Sequence, residues 1–143
     1  SILTLLIFVI CMKFVLNIFL VSFCMLLSGC GNGYISFGGK ITFEEDGSPL
    51  TLGTVVFTTD TFQAEGMIHS DGTYQLGSLS QKDGLPPGNY KVFVTGAGNI
   101  VNEKFISLID LTFTDRNTTP LLCEVTSGKH TFDFTVKKVT AKP

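Results

Sequence analysis

Residues 84 to 95 read Gly84-Leu85-Pro86-Pro87-Gly88-Asn89-Tyr90-Lys91-Val92-Phe93-Val94-Thr95. The first five are turn formers and the remainder alternates. Pro87 presets φ, and Gly88 is expected to take a positive φ, which fits a tight turn. Tyr90, Val92 and Val94 then fall on one face of a strand, and Lys91, Phe93 and Thr95 fall on the other. A period of two residues is the signature of a half-buried strand.

The same pattern recurs on both sides. Upstream, Ile35, Phe37, Gly39, Ile41 and Phe43 share a face, while Ser36, Lys40 and Thr42 point away. Asp46-Gly47-Ser48-Pro49 breaks that strand. Val55 and Phe57 point inward with Val56 opposite. Residues 62 to 69 lead to Asp71-Gly72, read as a two-residue hairpin turn, and the returning strand carries Tyr74 and Leu76. Downstream, residues 97 to 120 are the least regular stretch. A short strand is expected from Phe105 to Ile109, then a polar loop from Thr114 to Pro120. The chain is expected to close with a hairpin. Leu121, Cys123 and Val125 face in, Ser127-Gly128 turns, and Phe132, Phe134 and Val136 face in, while Thr131, Asp133, Thr135 and Lys137 face water.

Short strands at this spacing without an amphipathic helix predict an all-β fold: a Greek-key β-sandwich of about seven strands over residues 34–138, with a frayed tail at 139–143. An up-and-down barrel is the alternative. The chain has 143 residues, thirteen of them Phe and none Trp, so the expected core is Phe-rich.

The hydrophobicity is unevenly placed. Residues 1–29 carry a single charge, Lys13, and the rest of the chain holds nine basic and twelve acidic residues, net −3. That balance offers no footprint for nucleic acid and no basic patch for anionic lipid. From Met12 onward the string has a positive start, an apolar run from Phe14 to Leu27, and small residues: the layout of an export signal. Met12 is the expected start, and residues 1–11 are expected to be spurious. Leu27-Ser28-Gly29-Cys30 resembles the lipobox of bacterial lipoprotein signal peptides. That resemblance implies peptidase recognition of Leu27, Ser28 and Gly29, cleavage before Cys30, and lipidation of Cys30. Residues 30–33 would then be a lipidated tether. Several acyl chains hold a protein firmly where one holds it marginally. Gly31 rather than Asp after Cys30 favours, by resemblance, the outer membrane or cell surface. A transmembrane anchor over residues 1–29 is the other reading, since the segment is long enough to span a bilayer.

A second resemblance covers residues 36–96, and 105–137 more loosely. Gly39-Lys40-Ile41-Thr42 with Asp46-Gly47 and Pro49, Gly53-Thr54-Val55-Val56-Phe57, Asp71-Gly72-Thr73-Tyr74, and Leu85 to Val92 together resemble carboxypeptidase-regulatory-like and transthyretin-like domains. Those motif residues turn and pack the chain. The resemblance therefore implies a fold and no active site.

Candidate chemistry is sparse. His69, Ser70 and Asp71 suggest a triad, but neighbouring strand residues diverge. His130 has no partner in sequence, and two isolated histidines do not make a zinc site. Glu44-Glu45-Asp46 lacks calcium-loop spacing and reads as a solvated strand end. Asn117-Thr118-Thr119 matches a glycosylation sequon followed by Pro120. Lys40, Asp133 and Glu65 could be nominated for an internal isopeptide bond, but parity turns Lys40 and Asp133 to solvent. Cys11, Cys24 and Cys30 belong to the leader or its edge, leaving Cys123 alone in the domain as a buried thiol. No catalytic, cofactor-binding or metal residue is assigned, and the chain is read as a non-enzyme.

The functional expectation is a membrane-anchored, non-catalytic binding or structural module of the bacterial cell envelope. Its partners would be membrane lipid, through acylated Cys30, and an envelope protein or glycan. Binding would use loops at one end of the sandwich or an exposed edge strand. Residues 97–120 are the best loop candidate. An oligomeric small-ligand carrier of the transthyretin kind is the alternative.

Overall fold

The computed structural model describes residues 1–24, 33–77 and 83–139. It separates into two units, Ser1–Asn32 and Gly33–Pro143. Helix α1, Ile2–Cys24, belongs to the first. Its side chains are described as far as Lys13 and all are exposed, large apolar ones included. A helix apolar on every face is suited to an apolar surround and not to water. Among the described residues no helix is long and apolar enough to cross a membrane. Leu27, Ser28, Gly29 and Cys30 lie outside the described residues.

The second unit is an all-β sandwich. Its strands are β1 Gly38–Phe43, β2 Thr54–Thr58, β3 Gln63–Met67, β4 Thr73–Gln75, β5 Gly88–Thr95, β6 Gly98–Val101, β7 Lys104–Ser107, β8 Leu122–Val125 and β9 Phe134–Val136. One sheet has the order β4-β1-β9 and the other β3-β2-β5-β8, while β6 and β7 pair only with each other. Seven strands thus build the sandwich, and strands adjacent in a sheet are mostly not adjacent in sequence. That rules out the up-and-down barrel, and the first and last strands run parallel, Ile41 opposite Phe134.

The alternating residues of both sheets meet in one core. Phe57 is fully buried at its centre, with the rings of Phe37, Tyr74, Tyr90 and Phe132 at centroid distances of 5.8, 6.2, 6.1 and 6.2 Å. Edge-on and tilted rings at this separation add to what area burial alone supplies. Tyr90 and Tyr74 keep their hydroxyls satisfied inside it. Tyr90 donates to the Pro86 carbonyl four residues upstream, at 2.8 Å, the arrangement of a tyrosine corner. Tyr74 donates to the Phe132 carbonyl at 2.6 Å. Gly39 makes that contact possible, since a Cβ there would lie 2.2 Å from the Phe132 carbonyl oxygen.

Strand β5 alternates as read, with Tyr90, Val92 and Val94 buried. Strand β2 does not: Val56 and Thr58 are buried as well as Val55 and Phe57. The strand lies between β3 and β5, and on its second face Val56 stands between Glu65 of one and Phe93 of the other.

Three local expectations are corrected. The positive φ in the Gly-Pro turn belongs to Gly84, at +89°, and not to Gly88, which opens β5. Gly84 is forced there because its backbone lies against Ile35, whose oxygen a Cβ would meet at 2.1 Å. The Asp71-Gly72 turn is a three-residue loop, Ser70 to Gly72. His69 donates to Thr73, Gly72 donates back to His69, and Gly72 takes φ +83°. Its two arms enter different sheets, touching again at Glu65 and Gly77. The closing hairpin does not form. Strand β8 pairs with β5 and β9 with β1, so Thr126 to Lys129 carries the chain from one sheet to the other. Inward parity is identical for two strands of a hairpin and for two strands facing across a sandwich, and it could not separate them. Val139, at the start of the expected tail, donates its N–H to Leu108 at 3.1 Å.

Candidate functional site: an exposed apolar hairpin

Residues 97 to 109 form a hairpin standing on a buried foot. Ala97 and Ile109 are core residues at its two ends. Leu108 donates to Ala97 at 2.8 Å and closes the stem. On the outer side Asp110 donates to Lys137 at 2.8 Å and Val139 to Leu108 at 3.1 Å, joining the foot to the end of the last strand. Above the foot, Ile100 pairs with Phe105 and Val101 with Lys104. Asn102 and Glu103 form the turn at φ 51° and 64°, the left-handed pair that a two-residue hairpin loop requires. Glutamate in that conformation costs about 1–2 kcal/mol, which is why Asn102-Glu103 carries little turn signal in sequence.

The hairpin exposes what a soluble domain usually hides. Ile100 is 77% exposed, Phe105 57%, Val101 52% and Ile106 50%. Both faces of the ribbon are apolar, Ile100 with Phe105 on one and Val101 with Ile106 on the other. Leu111, at the start of the short 3-10 turn Leu111–Phe113, adds another bare side chain. The expectation of a polar loop therefore holds only for the stretch after Phe113. Before it, the segment is an apolar two-stranded ribbon, whose second strand, Lys104–Ser107, overlaps the one expected from Phe105 to Ile109.

A second concavity lies on the outer face of the four-stranded sheet. It encloses about 550 Å³ between Thr58, Asn89, Lys91, Leu122 and Glu124, with the Asp60–Arg116 ion pair on its rim. Asp60 is almost fully exposed, so that pair adds little stability. The lining mixes both charge signs with one bare leucine, and Tyr90 and Cys123 reach it from the core side, Cys123 only 2% exposed.

The other sequence candidates are dispersed and locally engaged. Asp71 accepts from the N–H and hydroxyl of Thr73 at 3.0 and 2.6 Å and is not the orienting partner of His69. His130 Nδ1 lies 3.2 Å from the Ser36 carbonyl oxygen. In the acidic run, Asp46 accepts from Ser48 and from Lys138, and Glu45 accepts from the Lys138 N–H. Among the described residues no three His, Cys, Asp or Glu side chains gather as a metal site. Asn117 is an exposed turn residue whose N–H donates to Asp115. Asp133 does approach Lys40, accepting from its backbone N–H at 2.8 Å, but both residues are exposed and Glu65 lies on the opposite sheet, held by Gln63.

Cys123 is buried at 2% exposure, and burial raises its thiol above the usual value, with Lys129 at 3.8 Å opposing that rise. Burial likewise lifts the Tyr74 and Tyr90 hydroxyls. The aspartates go the other way. Hydrogen bonds from Lys138 and Ser48 hold Asp46 far below the ordinary carboxylate range, and bonds from Thr73 and Thr112 lower Asp71 and Asp110. Asp followed two residues later by Ser or Thr is the local signal for these turns, at 46, 71 and 110.

No family model matches the chain, and no curated protein matches it. Two solved structures are similar. A DUF3823 family protein from Bacteroides ovatus shares 16% identity over 73% of this chain and 45% of its own, with a TM-score of 0.43. The major pilin subunit of Bacillus cereus shares 11% over 73% of this chain and 30% of its own, with a TM-score of 0.47. The chain spans less than half the length of either.

Proposed function

We propose that this chain is a lipid-anchored, non-catalytic β-sandwich module of the bacterial cell envelope that binds another macromolecule through its β6–β7 hairpin. The observation that carries the reading is the distribution of side chains within the sandwich unit. Asp46, Asp71 and Asp110 are each spent in a local turn, whereas Ile100, Val101, Phe105 and Ile106 are all bare on one ribbon. A contiguous bare apolar surface of that kind marks an interaction site. The anchor rests on the sequence: an apolar segment, then Leu27-Ser28-Gly29-Cys30, then a short tether. The resemblance to carboxypeptidase-regulatory-like and transthyretin-like domains agrees with an accessory module, and Gly31 agrees with an outer-membrane or surface location.

The test has two arms in whole cells. Labelled fatty acid should enter the wild-type chain and not Cys30→Ala, and Cys30→Ala should leave the membrane fraction. No label in the wild type, with Cys30→Ala still membrane-bound, would move the anchor to a transmembrane helix. A photo-crosslinking residue at position 100 should give discrete adducts that the same residue at exposed Thr135 does not. Without such adducts the binding reading fails.

A further inference from the structure

We propose that the sandwich is a tension-bearing link, in which a pull along the chain is carried by the β1–β9 pair in shear. Direction decides how such a pair meets force. Where the first and last strands are antiparallel, the chain enters and leaves at the same end, and a pull peels the ladder open one hydrogen bond at a time. Where they are parallel, it enters at one end and leaves at the other. Strands β1 and β9 run parallel, with Ile41 opposite Phe134, Thr42 opposite Thr135 and Phe43 opposite Val136. A parallel bridge between Gly38 and Thr131 keeps the same offset and extends the register back. The chain therefore enters the pair at Gly38 and leaves it at Val136, about 17 Å apart along the strands. A pull on those two ends lies along the strands and loads the bonds between them together.

The bonds span the whole overlap. Gly38 donates to the His130 carbonyl at 3.1 Å and Phe132 donates to Gly38 at 2.9 Å, while Glu44 donates to Val136 at 2.9 Å at the far end. One rung is rebuilt from side chains. A regular parallel ladder would give the Lys40 N–H to the Phe132 carbonyl. The Tyr74 hydroxyl takes that carbonyl at 2.6 Å, and the Lys40 N–H goes to the Asp133 carboxylate at 2.8 Å. Tyr74 belongs to β4, on the other edge of β1, so its hydroxyl reaches across β1 and pins the approach to the last strand. Packing opposes sliding as well. Ile41, Phe43, Phe134 and Val136 are buried, and a shift along the strands must carry each of them through a close-packed core. Just past Val136, the Lys137 carbonyl accepts from Asp110 at the hairpin foot. A load taken up by a partner on the hairpin therefore reaches β9 at the same end as a load on the chain itself.

The test pulls the full chain in detergent with optical tweezers, through handles clicked onto side chains. Handles at exposed Ser36 and Lys137 load the pair along its strands. Handles at Ser36 and His130, whose ring lies 3.2 Å from the Ser36 carbonyl, sit side by side at one end and peel it. The first geometry should need about twofold more force at the same pulling speed, since forced unfolding follows the unfolding rate and shear loads every rung at once. Asp133→Ala should lower the shear force, whereas Glu124→Ala, exposed on the other sheet, should not. Equal forces in the two geometries, or a shear force that Asp133→Ala leaves unchanged, would overturn the proposal. The binding reading fails separately. Loss of adducts at position 100 removes the site on the hairpin and leaves the two forces as they are.

Discussion

Strands β2 and β6 are both short and rich in β-branched residues, yet their fates are opposite. Val55 and Phe57 are fully buried, while Ile100 and Val101 are among the barest apolar residues of the sandwich unit. The difference lies in neighbours. Strand β2 has β3 and β5 on its two edges and a second sheet across its inner face, whereas β6 has β7 alone. Composition places a residue in a strand; the count of strands around it decides whether water is excluded. The sandwich is thus a cooperative core, and the hairpin is a projection held at its foot by Ala97 and Ile109.

The sharpest break of that comparison is at Phe57. Phe57→Ala removes a ring packed by four others and leaves a cavity that a close-packed core fills only in part. The expected loss is about 3–5 kcal/mol in chemical denaturation, with an unchanged dependence on denaturant. A loss below about 1 kcal/mol would show the core to be loosely packed and the contrast with the hairpin overstated.

A smaller effect separates the two regions by pH. Asp71 ties the loop between the two sheets, and Asp110 caps the turn at the hairpin foot. Both are held below the unfolded carboxylate value by hydrogen bonds. A depressed folded pKa means that the stabilisation is complete above about pH 4 and is lost as pH falls through the folded value. The thermal midpoint should be flat from neutral pH to about pH 5 and decline below about pH 4. Asp71→Asn should make that acid decline shallower than Asp110→Asn does, because Asp71 holds the two sheets together. Equal slopes for the two variants would place the hairpin foot within the same cooperative unit.

Much of the sandwich was legible because alternation is a local property. Tyr90, Val92, Val94, Cys123, Val125, Phe134 and Val136 point where their parity put them. Which strands become neighbours was not legible, since pairing is a long-range choice that parity leaves open. That is why β8 and β9 were read as a hairpin. The ribbon at 97–109 is only half legible, as a short strand from Phe105 to Ile109, for a different reason. Its turn uses Asn102-Glu103 in place of a glycine pair, and its two faces are both apolar, so no period-two signal survives. The same double-faced pattern that hides a strand from the sequence is what makes it a candidate site in the fold.

The smallest expected effect is the most discriminating one. Ile100 touches little of its own chain, being 77% exposed, so Ile100→Ser removes a side chain that folding never buried. Surface changes away from caps and cores stay within about 0.5 kcal/mol, and this one should too, measured at low micromolar chain concentration. Ile109→Ala, nine residues along the same ribbon and fully buried, should cost about 2–5 kcal/mol. Two isoleucines in one hairpin would then differ several-fold in what they contribute to the fold. If Ile100→Ser destabilised the chain as much as Ile109→Ala, and did so more at high chain concentration than at low, its burial would have to come from another molecule. Concentration dependence therefore turns a stability measurement into a reading of what covers the hairpin.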